Sequence, residues 1–215
     1  MIDKYRLASD LLSIDAVRLR PAEPFKYASG LRGPIYCDNR LIISFPLIRR
    51  RFTEALKDLV DQKVFQVVAA TATAAIPHGA WLSDILAKPL IYVRGANKSH
   101  GGGKRIEGAF DYGQKVVLVE DLVTSGMSSI SAVQALRAEG LKVEEVISIF
   151  QYGLPDTKQK FDEIGVNFSS VLSLDTLLEV SIIDGYITQK DVDLIRLWQQ
   201  DPIAWNKNFD EDVPQ

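Results

Sequence analysis

Residues 115–128 constrain the fold more than any other stretch. They read Lys-Val-Val-Leu-Val-Glu-Asp-Leu-Val-Thr-Ser-Gly-Met-Ser. Val116 to Val119 is a short, unbroken apolar run rich in β-branched residues, as expected of a parallel strand buried on both faces. Glu120 and Asp121 follow at its carboxyl end. Thr124 to Ser128 then form a small hydroxyl-rich turn leading into a helix. In an open α/β sheet, ligands sit just outside the carboxyl ends of the strands. A helix start there offers unpaired N–H groups and a positive dipole end, which suit a phosphate. Carboxylates beside a phosphate cradle call for a ligand with hydroxyls or metal on one side and phosphate on the other. A ribose phosphate has that shape.

The rest of the chain supplies the sheet that such a junction requires. Ile48, Phe52, Ala55, Leu56, Leu59 and Val60 recur at helical spacing after Pro46, a residue suited to a first helical position, and predict a helix to about residue 62. Strands are expected at 64–70, 90–93, 116–119, 143–150 and 166–171, with helices at 76–87, from the turn at 128 to Glu139, and at 157–164. That alternation over 46–171 predicts a central parallel sheet flanked by helices, an α/β fold built from βαβ units. Residues 94–112 read as a long polar loop. Helices at 174–182 and 188–199 close the chain, and the acidic tail 210–215 reads as frayed.

The first 45 residues differ in character. Residues 2–14 form an amphipathic helix by periodicity, and 17–19 a short strand. Phe25–Ala28 and Ile35–Asp38 read as two strands around the turn Ser29–Pro34, giving a small antiparallel hood. The expected organisation is one domain over 1–215: helix and hood to 45, sheet core over 46–172, and C-terminal helices from 173.

Composition excludes several classes. With 215 residues and a net charge of −3, bulk electrostatics give no support for nucleic-acid binding. Cys37 is the single cysteine, so a cytoplasmic setting without an internal disulfide is expected. The N-terminus lacks a signal peptide's order of basic and then apolar residues. No apolar run approaches the about 20 residues that a membrane span needs. Gly108 and Gly113 have Walker A spacing, but Gln114-Lys115 follows and the segment enters a strand. Gly101 and Gly103 are followed by Ile106, so a dinucleotide fingerprint fails as well.

An apolar strand, two acidic residues, two apolar residues and Thr-Ser-Gly-x-Ser resemble the phosphoribosyl-pyrophosphate (PRPP) motif of the type I phosphoribosyltransferases. The resemblance implies that family's fold. It also implies that Glu120, Asp121, Leu122, Val123, Thr124, Ser125, Gly126, Met127 and Ser128 bind PRPP. Glu120 and Asp121 would meet the ribose hydroxyls, and the turn would hold the 5′-phosphate.

The loop after Val93 narrows the family. Arg94, Lys98, Lys104 and Arg105 against Glu107 give it a net +3 on a net-negative chain, which suits a polyanion. Gly101, Gly102, Gly103 and Gly108 suit a closing lid. Its pattern of Tyr92, Arg94, Lys98, His100, Gly101 and Gly103 resembles the orotate phosphoribosyltransferases. In that family Arg94, Lys98 and His100 would bind the pyrophosphate arm, with the lid acting across a homodimer interface.

Phe25–Arg40 resembles the family's base-side segment, and Ala70–Gly79 its pyrophosphate turn. The resemblance implies PRPP and orotate as substrates, Mg²⁺ held mainly by substrate oxygens with no dedicated protein cage, and catalysis by Lys98, His100 and Asp121. Thr124, Lys26 and Tyr36 are the orotate candidates. Three positions depart from a pattern common in the family: Ala28 and Ala74 stand where many members have lysine, and Gln151-Tyr152 where many have arginine. The partner of the base carboxylate therefore stays open, with Arg32 and Arg40 as candidates. A purine or uracil phosphoribosyltransferase would share the 115–128 stretch, and so would a PRPP-sensing regulator.

Overall fold

The computed structural model describes residues 3–27, 29–95, 105–207 and 209. Helix α1 (Lys4–Ser13) opens the chain, its first turn capped by the Asp3 side chain accepting from Arg6 N at 3.0 Å. Strand β1 (Val17–Leu19) follows, then β2 (Phe25–Lys26), β3 (Arg32–Gly33) and β4 (Ile35–Cys37). The hood is antiparallel as expected, but its pairing differs. Residues 25–26 pair with 32–33, and 35–37 pair with 17–19, so the two expected strands are not partners. The cause is burial. Val17 and Ile35 are both core residues, which draws 35–37 onto β1, while Lys26 is exposed and pairs within a short local hairpin. Beyond β4, a 3-10 helix (Asn39–Ser44) leads into α2 (Pro46–Val60), with proline in its first turn.

The sheet is built from β5 (Val67–Thr71), β6 (Leu90–Val93), β7 (Ile106–Glu107), β8 (Lys115–Val123), β9 (Lys142–Gln151) and β10 (Asn167–Ser173). Their order is β10-β9-β8-β5-β6-β7. Every neighbouring pair is parallel except β6 with β7, so the sheet gains an antiparallel edge inside the stretch expected to be only loop. The crossovers are α3 (Ile76–Ile85), α4 (Met127–Ala138) and α5 (Pro155–Glu163). Strand β5 begins three residues later than expected because Val64, at 77% exposed, lies outside the core.

Side chains on the central strands alternate between two cores. Val68, Val117, Val119, Ile147 and Val171 join the core that also holds α1, α2 and the hood. Val67, Ala69, Val116, Leu118 and Val146 join the core under α4 and α5. Each such fully buried valine, leucine or isoleucine contributes roughly 1.5–3 kcal/mol. This two-faced burial is why β8 reads as a continuous apolar run rather than an alternating one.

After β10 come α6 (Leu174–Ile183), α7 (Gln189–Gln200) and α8 (Pro202–Asn206); the last has no counterpart in the sequence reading. Helix α6 lies against α1, where Tyr5 Oη donates to Glu179 at 2.9 Å and Ser9 Oγ to Asp184 at 2.8 Å. Thr188 and Asp191 close a capping box on α7. The acidic tail lies outside the described residues. Among the described residues no helix is long and apolar enough to cross a membrane.

Candidate active site

The period of two that sorts β8 between the cores continues through its acidic pair. The strand runs on to Val123, so Glu120 and Asp121 lie inside it rather than beyond its end. They therefore face opposite ways. Glu120 points to the α4 side and is 3% exposed. Its carboxylate accepts from Thr71 Oγ1, from Ser129 Oγ at 2.9 Å and from Ser128 Oγ at 3.4 Å. Burial pushes this carboxyl up to about 7, helped by the charge of Asp121 and opposed by the three hydroxyls. Glu120 thus braces β5, β8 and the start of α4 together. Asp121 points to the hood side and is half-buried. Burial raises its carboxyl as well, while backbone N–H groups and Arg40 hold it down.

Thr124 to Ser128 make the turn into α4. Gly126 is the residue before the helix, at φ +79°, where a side chain is strained. A Cβ there would also stand 3.1 Å from the Phe161 ring, which would have to give by a few tenths of an ångström. The turn is pinned from below, with Thr157 Oγ1 donating to the Thr124 carbonyl at 2.9 Å and Tyr152 N to the Val123 carbonyl at 3.1 Å. Thr124, Met127 and Ser128 are exposed and Ser125 is half-buried. No side chain caps α4, so its leading N–H groups are left for a ligand.

Beside this cradle, β5 ends in Thr71 and the turn to α3, whose Ala72–Thr73 peptide is cis. His78, on the first turn of α3, is buried with its ring edge against Trp81. Burial lowers its pKa to about 4, opposed by a hydrogen bond to the Asn39 backbone. Asn39, itself 1% exposed, donates from Nδ2 to the Asp121 carbonyl at 2.6 Å. Asn39 was not among the expected site residues. An asparagine in a turn is too common a signal to single out, yet it ties the hood to the acidic strand end.

At the root of the basic loop, Arg94 pairs with Glu107 at 3.4 Å. Arg105 reaches across to the Arg94 carbonyl at 3.3 Å and to Ser131 on α4, Oγ at 3.2 Å. The loop's base is therefore fastened to the helix that carries the cradle. Lys98 and His100 lie outside the described residues.

On the base side, Tyr36 stacks at an angle on Phe25, centroids 5.6 Å apart, and Arg18 lies over both rings. Lys26 is exposed on β2. Arg40 is held by Asp38, which accepts from its Nε at 2.6 Å and its Nη2 at 2.8 Å. Arg32 meets the C-terminal segment: its backbone is clasped on both sides by the Asn206 amide, at 2.6 and 2.8 Å, and its guanidinium lies over Phe209. Of the residues expected to form the site, Glu120, Asp121 and the cradle stand at one strand end, and Thr71, not among the expected residues, joins them through Glu120. Among the described residues no three acidic, histidine or cysteine groups converge as a metal cage would require.

The chain is 44% identical over 204 residues to the orotate phosphoribosyltransferase of Listeria monocytogenes, covering 94% of this chain and 98% of that one. Among solved structures it superposes on the orotate phosphoribosyltransferase of Aeropyrum pernix with a TM-score of 0.74 and 30% identity, over 85% of this chain and 99% of the other. It also superposes on Leishmania donovani UMP synthase with a TM-score of 0.80 and 26% identity, over 92% of this chain and 42% of that longer chain. No protein-family model matches the chain.

Proposed function

The chain belongs to the orotate phosphoribosyltransferase family, and on that footing we propose that it transfers the phosphoribosyl group of PRPP to orotate. The products are orotidine 5′-monophosphate and pyrophosphate, in pyrimidine biosynthesis. The observation that carries the reading is the junction of β8 and α4. It sets a half-buried carboxylate, an open helix start and a glycine-only turn at one end of one strand.

In this mechanism orotate N1 attacks C1 of PRPP as the bond from C1 to the pyrophosphate oxygen breaks, and the N1 proton passes to solvent. The cradle from Thr124 to Ser128 holds the 5′-phosphate through N–H groups and hydroxyls. Asp121 faces the ribose, accepts from its hydroxyls and stabilises positive charge developing at C1. Glu120 acts chiefly from below, keeping the strand end and the cradle in register. Arg94, Lys98 and His100 neutralise the departing pyrophosphate, and closure of their loop excludes water. Lys26, Tyr36 and Thr124 flank the base.

The donor set suits Mg²⁺ bound mostly by substrate oxygens, because Asp121 offers a carboxylate to the site while Glu120 is occupied by three hydroxyls. The ion would supply charge neutralisation to the diphosphate. A homodimer in the cytoplasm, with the lid serving the neighbouring site and one domain per chain, completes the proposal.

The test is pyrophosphate release from PRPP and Mg²⁺ with a panel of bases. Release with orotate is expected; release only with another base overturns the reading. Lys98→Ala should lower turnover by tenfold or more in a protein that melts like the parent. Unchanged kinetics would remove the lid from the mechanism.

A further inference from the structure

Orotate differs from uracil by one carboxylate, so an enzyme that takes it needs a cation where the base sits. Where β9 ends, the chain has Gln151-Tyr152 and not a cation. Arg32 is committed to the C-terminal segment. Lys26 lies exposed on the short hairpin opposite Arg32, whereas Arg40 is next to the residue that ties the hood to β8. Its neighbour Asn39 is hydrogen-bonded to the Asp121 carbonyl, which fixes this corner of the hood beside the carboxylate assigned to the ribose. Arg40 is also the cation whose charge reaches the Asp121 carboxyl.

The way Arg40 is held matters. A guanidinium has five N–H groups in a planar fork. Asp38 takes the Nε–Nη2 edge, at 2.6 and 2.8 Å, and itself caps the 3-10 helix by accepting from Arg40 N at 3.2 Å. The plane of the fork is thereby set, and the end formed by Nη1 and the second Nη2 hydrogen points outward from a side chain that is 63% exposed. That end matches a carboxylate in width and direction. Tyr36 lies close enough to act on the Arg40 charge, and Arg18 on that of Asp38, so the Tyr36 ring borders the same place. Arg18 stands over that ring at 5.0 Å.

We propose that Arg40 is the residue that selects the base, its outer N–H pair receiving the carboxylate of orotate while Asp38 holds the guanidinium in plane. Asp38 is then a positioning residue and Arg40 a binding one. The assignment rests on the orotate reading above.

The test is steady-state kinetics of parent, Arg40→Gln and Arg40→Lys with PRPP, Mg²⁺ and orotate, alongside inhibition by uracil. Loss of one charge-assisted, two-pronged contact should raise the orotate KM about 10- to 100-fold in Arg40→Gln. The PRPP KM, the melting temperature and inhibition by uracil should hold. Arg40→Lys keeps charge without the fork and should fall between. An active parent overturns the assignment alone if Arg40→Gln keeps its orotate KM, or if its PRPP KM or uracil inhibition worsens in parallel. A parent that releases pyrophosphate with another base but not with orotate overturns the reading beneath, and this assignment with it.

Discussion

Two buried groups within the site region titrate far from their usual ranges, in opposite directions. Burial raises Glu120 from 4.5 to about 7 and lowers His78 from 6.5 to about 4. Between pH 4.5 and 7 the folded protein keeps a proton on Glu120 that the unfolded chain has released, so this group makes stability fall as pH rises. Between pH 4 and 6.5 the unfolded chain protonates His78 while the folded protein leaves it neutral, so this group makes stability rise with pH. At 1.36 kcal/mol per pH unit each contributes at most about 3 kcal/mol. The windows overlap almost fully, so in the parent these two contributions nearly cancel.

Single variants expose them. Glu120→Gln keeps the shape, and the hydroxyls of Thr71, Ser128 and Ser129 can turn to suit the amide. Relative to the parent it should gain up to about 3 kcal/mol between pH 4.5 and 7. His78→Asn retains a donor near the Asn39 backbone and carries a cavity cost that is the same at every pH. Relative to the parent it should lose up to about 3 kcal/mol between pH 4 and 6.5, on top of that constant. The assay is urea unfolding in steps from pH 4 to 8 at fixed ionic strength, read as variant minus parent so that other titrating groups drop out. Differences that stay flat across the range would refute the burial-driven shifts.

Two further perturbations address the architecture. Gly126→Ala forces a side chain into positive φ against the Phe161 ring; about 1–3 kcal/mol of stability should be lost in urea unfolding, and an unchanged midpoint would show that the cradle relaxes freely. Asn206→Ala removes both hydrogen bonds to the Arg32 backbone; amide exchange at Arg32 should quicken about tenfold or more, and unchanged protection would mean the hairpin holds itself.

The sheet was legible because Val116–Val119 and the strands beside it are buried on both faces, which leaves a pattern in composition as well as in period. The cradle was legible because its glycine and hydroxyls stand at fixed offsets from that strand. The separate orientations of Glu120 and Asp121 were implicit in the same period of two, but only the extension of β8 to Val123 brings them under it. The hood's pairing was not legible. Strands of two or three residues carry too little pattern to choose a partner, and the choice is made by Val17 and Ile35 in a core they share with distant helices. Asn206 and Arg32 meet 174 residues apart, a separation at which local propensity is silent.

That separation has a consequence for the order in which the molecule is completed. Emerging from the ribosome, the chain exposes the hood before the sheet, yet α1 has no α6 to lie on, and β3 no amide to flank it, until residues 174–206 have been made. The strands and crossovers of the sheet are all synthesised earlier. The phosphate end of the site can therefore be finished while the base end is still waiting, and the hood, translated before the sheet, is among the last segments to reach its final neighbours.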